Sequence, residues 1–248
     1  MASVRRGPVI AFLGPDGAGK GTVIAGVQEA LDGPVTVLYL GRPRRRRDRW
    51  GAEDDRGDRA RDGEGSPGSR AGGAGIGGGA RRRRPSSTRE CAFLAWRAAR
   101  HLRLLLRGYA AAWRGHIVLC DRHPVEVLAV RPPRTPAGAV LERFIARRLT
   151  PWPDALIVLD APASRLLQRK GEHSLAVLER WRRAYLEVFG AQAAAIVSTD
   201  GPPEVSIANA LTTVRQLRSS SGAGGGSELK GRPEAARRGN TGGRRGRR

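Results

Sequence analysis

Gly14-Pro15-Asp16-Gly17-Ala18-Gly19-Lys20-Gly21-Thr22 sits between the apolar run Val9 to Leu13 and a segment, Thr22 to Leu31, whose apolar residues recur at helical spacing. A loop with glycines at 14, 17 and 19 can curl until successive backbone N–H groups converge on one point. The helix that follows adds the positive end of its dipole. Such a concavity suits phosphate oxygens, and Lys20 places a mobile positive charge beside it. The spacing is GxxxxGK, with Gly21 where a Ser or Thr is usual and Thr22 next along. Gly14, Asp16, Gly17, Ala18, Gly19, Lys20, Gly21 and Thr22 are therefore the expected phosphate-binding set.

Outward from this loop, strand-like and helix-like segments alternate. Val9 to Leu13 is short, continuously apolar and stopped by Gly14-Pro15, as expected of a strand buried on both faces. Further strands are expected at Val35 to Leu40, His116 to Cys120, Ala155 to Leu159 and Ala193 to Val197. Helices are expected from Thr88 to about Trp113, Leu141 to Leu149, from Ser164 as cap to Lys170, Leu175 to Phe189 and Pro203 to Leu217. On the first of these, Leu94, Ala98, Leu102, Leu105, Leu106 and Tyr109 share one face of a 100° wheel, and Arg97, Arg100, Arg103 and Arg107 the other. Alternation of this kind predicts an α/β chain with a five-stranded parallel sheet covered on both sides, and the resemblance of the glycine loop to a P-loop implies a three-layer P-loop NTPase fold with the strands ordered 2-3-1-4-5.

The 248 residues are 40% hydrophobic and 27% charged, but these averages hide a division. Residues 42–89 hold 15 Arg, 7 acids and 11 Gly, and residues 218–248 are again mostly Arg, Gly and Ser. Neither stretch carries enough apolar surface to offset the entropy of ordering it. The expectation is one domain, 1–217, interrupted by a disordered insertion at 42–89 and followed by a disordered tail. About two-thirds of the formal net charge of +22 lies in those two segments. With 42 Arg against 3 Lys, the excess reads as composition and not as a phosphate-binding surface, so no specific nucleic-acid partner is expected. No apolar run reaches the roughly 18 residues of a membrane span, and Cys91 and Cys120 lack the spacing of a metal site or a disulfide framework. A cytoplasmic protein is the expectation, with a homodimer left open.

Gly-x-Asp-Gly-x-Gly-Lys resembles the P-loop of thymidylate kinases and related nucleoside monophosphate kinases, and Gly21-Thr22 resembles the ending found in adenylate kinases. Gly41-Arg42-Pro43 looks like the thymidylate kinase Arg-Glu-Pro turn with a changed middle residue. Asp121-Arg122-His123 is similar to their Asp-Arg-Tyr or Asp-Arg-Phe motif. Leu159-Asp160-Ala161-Pro162 with Arg169-Lys170-Gly171-Glu172 resembles their fourth strand and lid, and Ser198 to Glu204 the turn into their last helix.

The resemblance implies transfer of the γ-phosphoryl of Mg·ATP to a small-molecule phosphate acceptor, with dTMP-like nucleotides first. It assigns Asp16 to the acceptor nucleotide and Arg42 and Arg122 to its phosphate, with Arg97 as a further anion contact. Asp121 and Thr22 are implied as the Mg²⁺ residues. A dianion approaching a tetraanion needs cations between them, and Arg offers a fork that matches phosphate oxygens. Some thymidylate kinases carry an Arg inside the P-loop, where this chain has Gly17, so Arg169 or Lys170 must supply charge to the transition state. The chain departs from the family after the Asp-Arg motif, with His123-Pro124-Val125-Glu126-Val127 replacing a Ser-containing loop. Two alternatives follow: a kinase for a non-nucleotide acceptor such as a sugar, or a non-enzymatic basic protein that binds nucleic acid or anionic surfaces.

Overall fold

The computed structural model describes residues 6–41, 86–129 and 135–223. Arg42, nearly all of the 42–89 insertion and the tail beyond Ala223 lie outside them. Five strands form one parallel sheet: β1 Val9–Leu13, β2 Val35–Tyr39, β3 Ile117–Asp121, β4 Ala155–Asp160 and β5 Ala195–Ser198, in the order β2-β3-β1-β4-β5. Val9 pairs with Val118 on one side of β1, and Ile10 with Ala155 on the other. The expected strand order is therefore found.

Alternation of side chains along each strand sends them to two cores. Ile10 and Phe12 of β1 join Ile117, Leu119 and Ile157 under α1 (Lys20–Glu29) and α6 (Pro203–Ala223), where Val23, Val27, Ala210 and Val214 close the layer. Val9, Ala11 and Leu13 join Val118, Cys120 and Val158 under α2 (Ser87–Trp113) and α5 (Leu175–Phe189), against Leu105, Ala112, Tyr185 and Phe189. Every residue of β1 is buried, which explains its unbroken apolar run. Two helices complete the order, α3 (Pro136–Phe144) and α4 (Ala163–Lys170).

Four expectations need correcting. The face of α2 that meets the core runs through Leu94, Leu105, Gly108 and Ala112, while Leu102 and Leu106 point outward and Arg97 and Arg100 are half-buried. Apolar residues lie all round this helix, so counting them does not select one face. A second difference is at α3, which starts at Pro136 behind the Thr135 cap and gives way at Ile145–Leu149 to a π turn. Ser164 is not a cap, because α4 begins at Ala163 and the cap position is Pro162, two residues earlier. Finally, α6 continues past Leu217 to Ala223, and Arg218 donates to the Asp32 carbonyl, so the first residues of the expected tail belong to the domain. No helix among the described residues is long and apolar enough to cross a membrane.

Candidate functional site

Parallel strands put their carboxyl ends, and the loops that leave them, on one edge of the sheet. On that edge the loop 14–19 joins β1 to α1, Asp121 ends β3, and Asp160 ends β4. Gly14 (φ 149°) passes so close to β4 that a Cβ would lie 2.6 Å from the Leu159 carbonyl oxygen. Gly17 (φ 88°) likewise leans on Leu166 of α4, and a Cβ there would meet its carbonyl oxygen at 3.1 Å. An Arg at this place would be both strained and crowded, so the Gly17 found in sequence is what the packing against α4 requires.

Lys20 is the first residue of α1 and is buried, with its Nζ donating to the carbonyls of Gly14 (2.5 Å) and Pro15 (3.1 Å). The ammonium thus sits over the curl of the loop. Gly21 faces open space, and Thr22 is exposed at the start of the helix. Asp121, at the end of β3, has a buried Oδ1 with no hydrogen-bond partner, and burial raises its pKa against the pull of Lys20 and Arg122.

Asp16 and Arg122 are brought together, Nη2 donating to Oδ1 at 2.7 Å. Burial alone would lift the Asp16 pKa, but the charges of Arg122, Lys20 and Lys170 outweigh it and hold the carboxyl below its usual range. Arg122 is also the single described residue other than glycine with a positive φ, 63°. Left-handed backbone costs an Arg about 1 kcal/mol, and such strain persists where the surroundings fix it.

The lid residues separate into two roles. Arg169, in the last turn of α4, donates to the Gly17 carbonyl (3.3 Å) and the Thr199 carbonyl (2.6 Å), tying the glycine loop to the segment after β5. Lys170 is half-exposed and lies 3.4 Å from Glu172. Ligand atoms of Asp16, Glu172 and His173 fall within 4.8 Å of one another. Arg122 pairs with Asp16 and Lys170 with Glu172, so each carboxylate of the cluster has its own cation, and His173 packs edge-on to Trp181 at 4.5 Å.

Arg97 does not join Arg122. It pairs with Glu142 of α3, and the neighbouring Arg100 donates to the Gly41 carbonyl. What sequence reasoning missed is the rest of the turn after β3. His123 is buried, and its Nδ1 accepts from Val125 N–H, leaving Nε2 without a partner. Burial pushes its pKa down to about 3 with help from His101, so the ring is neutral. Glu126, in the 3-10 turn Pro124–Leu128, has Oε1 out of solvent and unpartnered, and burial raises its pKa to about 7 against Lys20 and Arg122. The signal available in sequence was the departure at 123–127 itself. No protein-family model matches the chain, and no curated protein matches it.

Proposed function

We propose that this chain is an ATP-dependent phosphotransferase on a P-loop NTPase fold, moving the γ-phosphoryl of Mg·ATP to a small acceptor. The observation that carries the reading is the loop 14–19, which curls between a fully buried strand and a helix N-terminus with the Lys20 ammonium drawn over it. Backbone N–H groups, helix dipole and ammonium then act on the same phosphates. Phosphoryl transfer needs mostly positioning and charge compensation, and this loop offers both.

Thr22 and the unpartnered Oδ1 of Asp121 are oxygen donors of the kind that suit a divalent cation held directly or through water. Mg²⁺ there would supply charge neutralisation to the donor phosphates. Arg122 orients Asp16 beside the loop, and Arg169 keeps the loop closed against the β5 side. Resemblance to thymidylate kinases makes a nucleoside monophosphate the first acceptor to test. One observation favours the second reading, a non-nucleotide acceptor: Arg122, Arg97 and Arg100 each already have a partner. Turnover of Mg·ATP across nucleoside monophosphates, nucleosides and sugars tests the proposal. Failure to bind Mg·ATP would remove it and leave the non-enzymatic basic protein, whose hallmark is polyanion binding that collapses with salt.

A further inference from the structure

The outward face of α2 is apolar and, among the described residues, uncovered. Ala92, Ala95, Ala99, Leu102, Leu106 and Trp113 follow one another at steps of three, four or seven residues, and all are exposed, Leu106 at 57% and Trp113 at 68%. That spacing draws one stripe along a helix, of the kind that seats a second helix. Arg6 stacks on the Trp113 ring at 5.5 Å without covering it, and the opposite face of α2, through Leu105 and Ala112, is the one buried on the sheet. From Ala92 to Trp113 the stripe is about 33 Å long, and half the circumference of a helix about 11 Å across gives it on the order of 550 Å². Two copies together bury about 1,100 Å², just above the roughly 1,000 Å² that a specific interface needs.

The order of sizes along the stripe fits its own reverse. A two-fold axis perpendicular to the helix, passing between Leu102 and Arg103, sets Ala99 of one copy against Leu106 of the other, and Ala92 against Trp113. Ala95 meets Ala110, and Leu102 meets the methylene stem of Arg103. Each large side chain of the stripe then has a small or flexible one opposite, which is how facing helices interdigitate without voids or clashes. Under a lipid surface the four alanines would contribute little, because insertion gains from apolar bulk at every position.

Independently of the phosphotransferase reading, we propose that the chain forms an antiparallel homodimer through α2 in this register. One flank of the stripe carries Arg103 and Arg107, both exposed, and among the described residues neither has an ion-pair partner. The two-fold axis brings that flank to the same side in both copies, so arginines approach arginines. The apolar stripe thus pairs against a repulsion that salt screens, and the dimer tightens as ionic strength rises. Binding to a nucleic acid or an anionic membrane has the opposite sign.

The test is sedimentation velocity on the full chain, freed of nucleic acid, from about 1 to 100 μM protein and from about 0.05 to 0.5 M NaCl. Wild type is compared with Ala99→Leu, Leu106→Ala and the double swap, and far-UV circular dichroism of each checks the fold. The expected result is a concentration-dependent dimer whose Kd falls severalfold across the salt range. Ala99→Leu and Leu106→Ala should each raise Kd at least about tenfold, and the swap, which again sets large against small at both contacts, should return it to within about threefold of wild type. A chain that stays monomeric throughout overturns the proposal. So does a dimer indifferent to Ala99→Leu, a folded double swap that does not pair, or a dimer that loosens with salt. Monomeric wild type that binds phosphatidylglycerol vesicles, and binds them more tightly as Ala99→Leu, would give the face to a lipid surface instead.

Discussion

The glycine loop and the turn after β3 face each other across the same sheet edge, yet they are built in opposite ways. In the loop, polar groups find partners within the protein: Lys20 caps Gly14 and Pro15, Ala18 N–H donates to Pro15, and Arg169 holds Gly17. In the turn, three side chains wait for one. A backbone-made concavity can be satisfied when empty because its glycines fold on themselves, whereas side chains aimed at a ligand carry an unmet cost until it arrives. On the proposed reading, the half that would hold the donor is satisfied by its own contacts, and the half that would meet the acceptor is not.

The largest test of that contrast is Lys20→Ala. Transfer is expected to fall by at least about 1,000-fold, since the ammonium is the one loop side chain able to follow the phosphates. Because Lys20 is buried and serves two carbonyls, stability should also fall, by about 1–2 kcal/mol, or roughly 2–8 °C in Tm. Wild-type turnover in a folded variant would sink the loop as donor site.

Arg122 sharpens the comparison from the other side. Arg122→Ala removes the partner of Asp16 and keeps the left-handed backbone, while Arg122→Gly removes the partner and relieves the backbone. Both should lose about 10- to 100-fold in kcat/KM, but Arg122→Gly should be the more stable by about 1 kcal/mol in urea unfolding. Equal stabilities would mean that position 122 carries no backbone strain.

The third expectation uses pH. Glu126 has a raised pKa of about 7 against an ordinary 4.5, so between those values the folded protein holds a proton that the unfolded chain has released. Wild-type stability is therefore expected to drop as pH rises through that window, with the loss complete above about 7. The amide introduced by Glu126→Gln does not titrate. Allowing for partial exposure of the residue, this variant should gain about 2 kcal/mol on wild type between pH 5 and pH 8, read by urea unfolding at both. Asp121 shifts in the same sense but is common to both proteins, so its effect cancels. A gap that does not move with pH would place the carboxyl in water.

How much of this was legible in sequence follows the same division. β1 and the loop could be read because each depends on a short pattern, an unbroken apolar run or spaced glycines, whereas the strand order came with the resemblance to P-loop kinases. The orientation of α2 could not, since Leu104, Leu105 and Leu106 are consecutive and only tertiary packing decides that Leu105 goes inward. Arg97 was read as an anion contact because it stands at the edge of the arginine-bearing face of its helix. Its true partner, Glu142, comes from α3, 45 residues away, and no local pattern announces it. Glu126 looked like a substitution in a family motif; its chemistry lies in the burial of one oxygen, which sequence does not encode locally.

Within the lid, Arg169 and Lys170 are adjacent in sequence but not in role. Arg169→Ala frees the Gly17 and Thr199 carbonyls and is expected to cost about 1 kcal/mol and several-fold in kcat. Lys170→Ala breaks a half-exposed pair with Glu172 and should change turnover less than about threefold. The reverse ranking would return Lys170 to the transition state and make Arg169 a structural tie.

The smallest effect belongs to the chain end, where the boundary found in the structure can be separated from the one composition suggests. Arg218 donates to the Asp32 carbonyl at 2.7 Å, and Arg215 to the Ala30 carbonyl at 3.1 Å, so the end of α6 is fastened to the turn after α1. Residues 224–248 contain Leu229 as their one large aliphatic and no aromatic residue, a composition from which no packing on the domain is expected. A chain ending at Ala223 is expected to keep its Tm within about 1 °C and its full turnover, whereas one ending at Leu217 loses the Arg218 bond and about 0.5–1 kcal/mol. Both are exposed contacts, so the difference must be read by urea unfolding of the two truncations side by side. If the longer truncation lost Tm or turnover as well, residues beyond 223 would have to touch the domain, and α1 and α6 would not be where it ends.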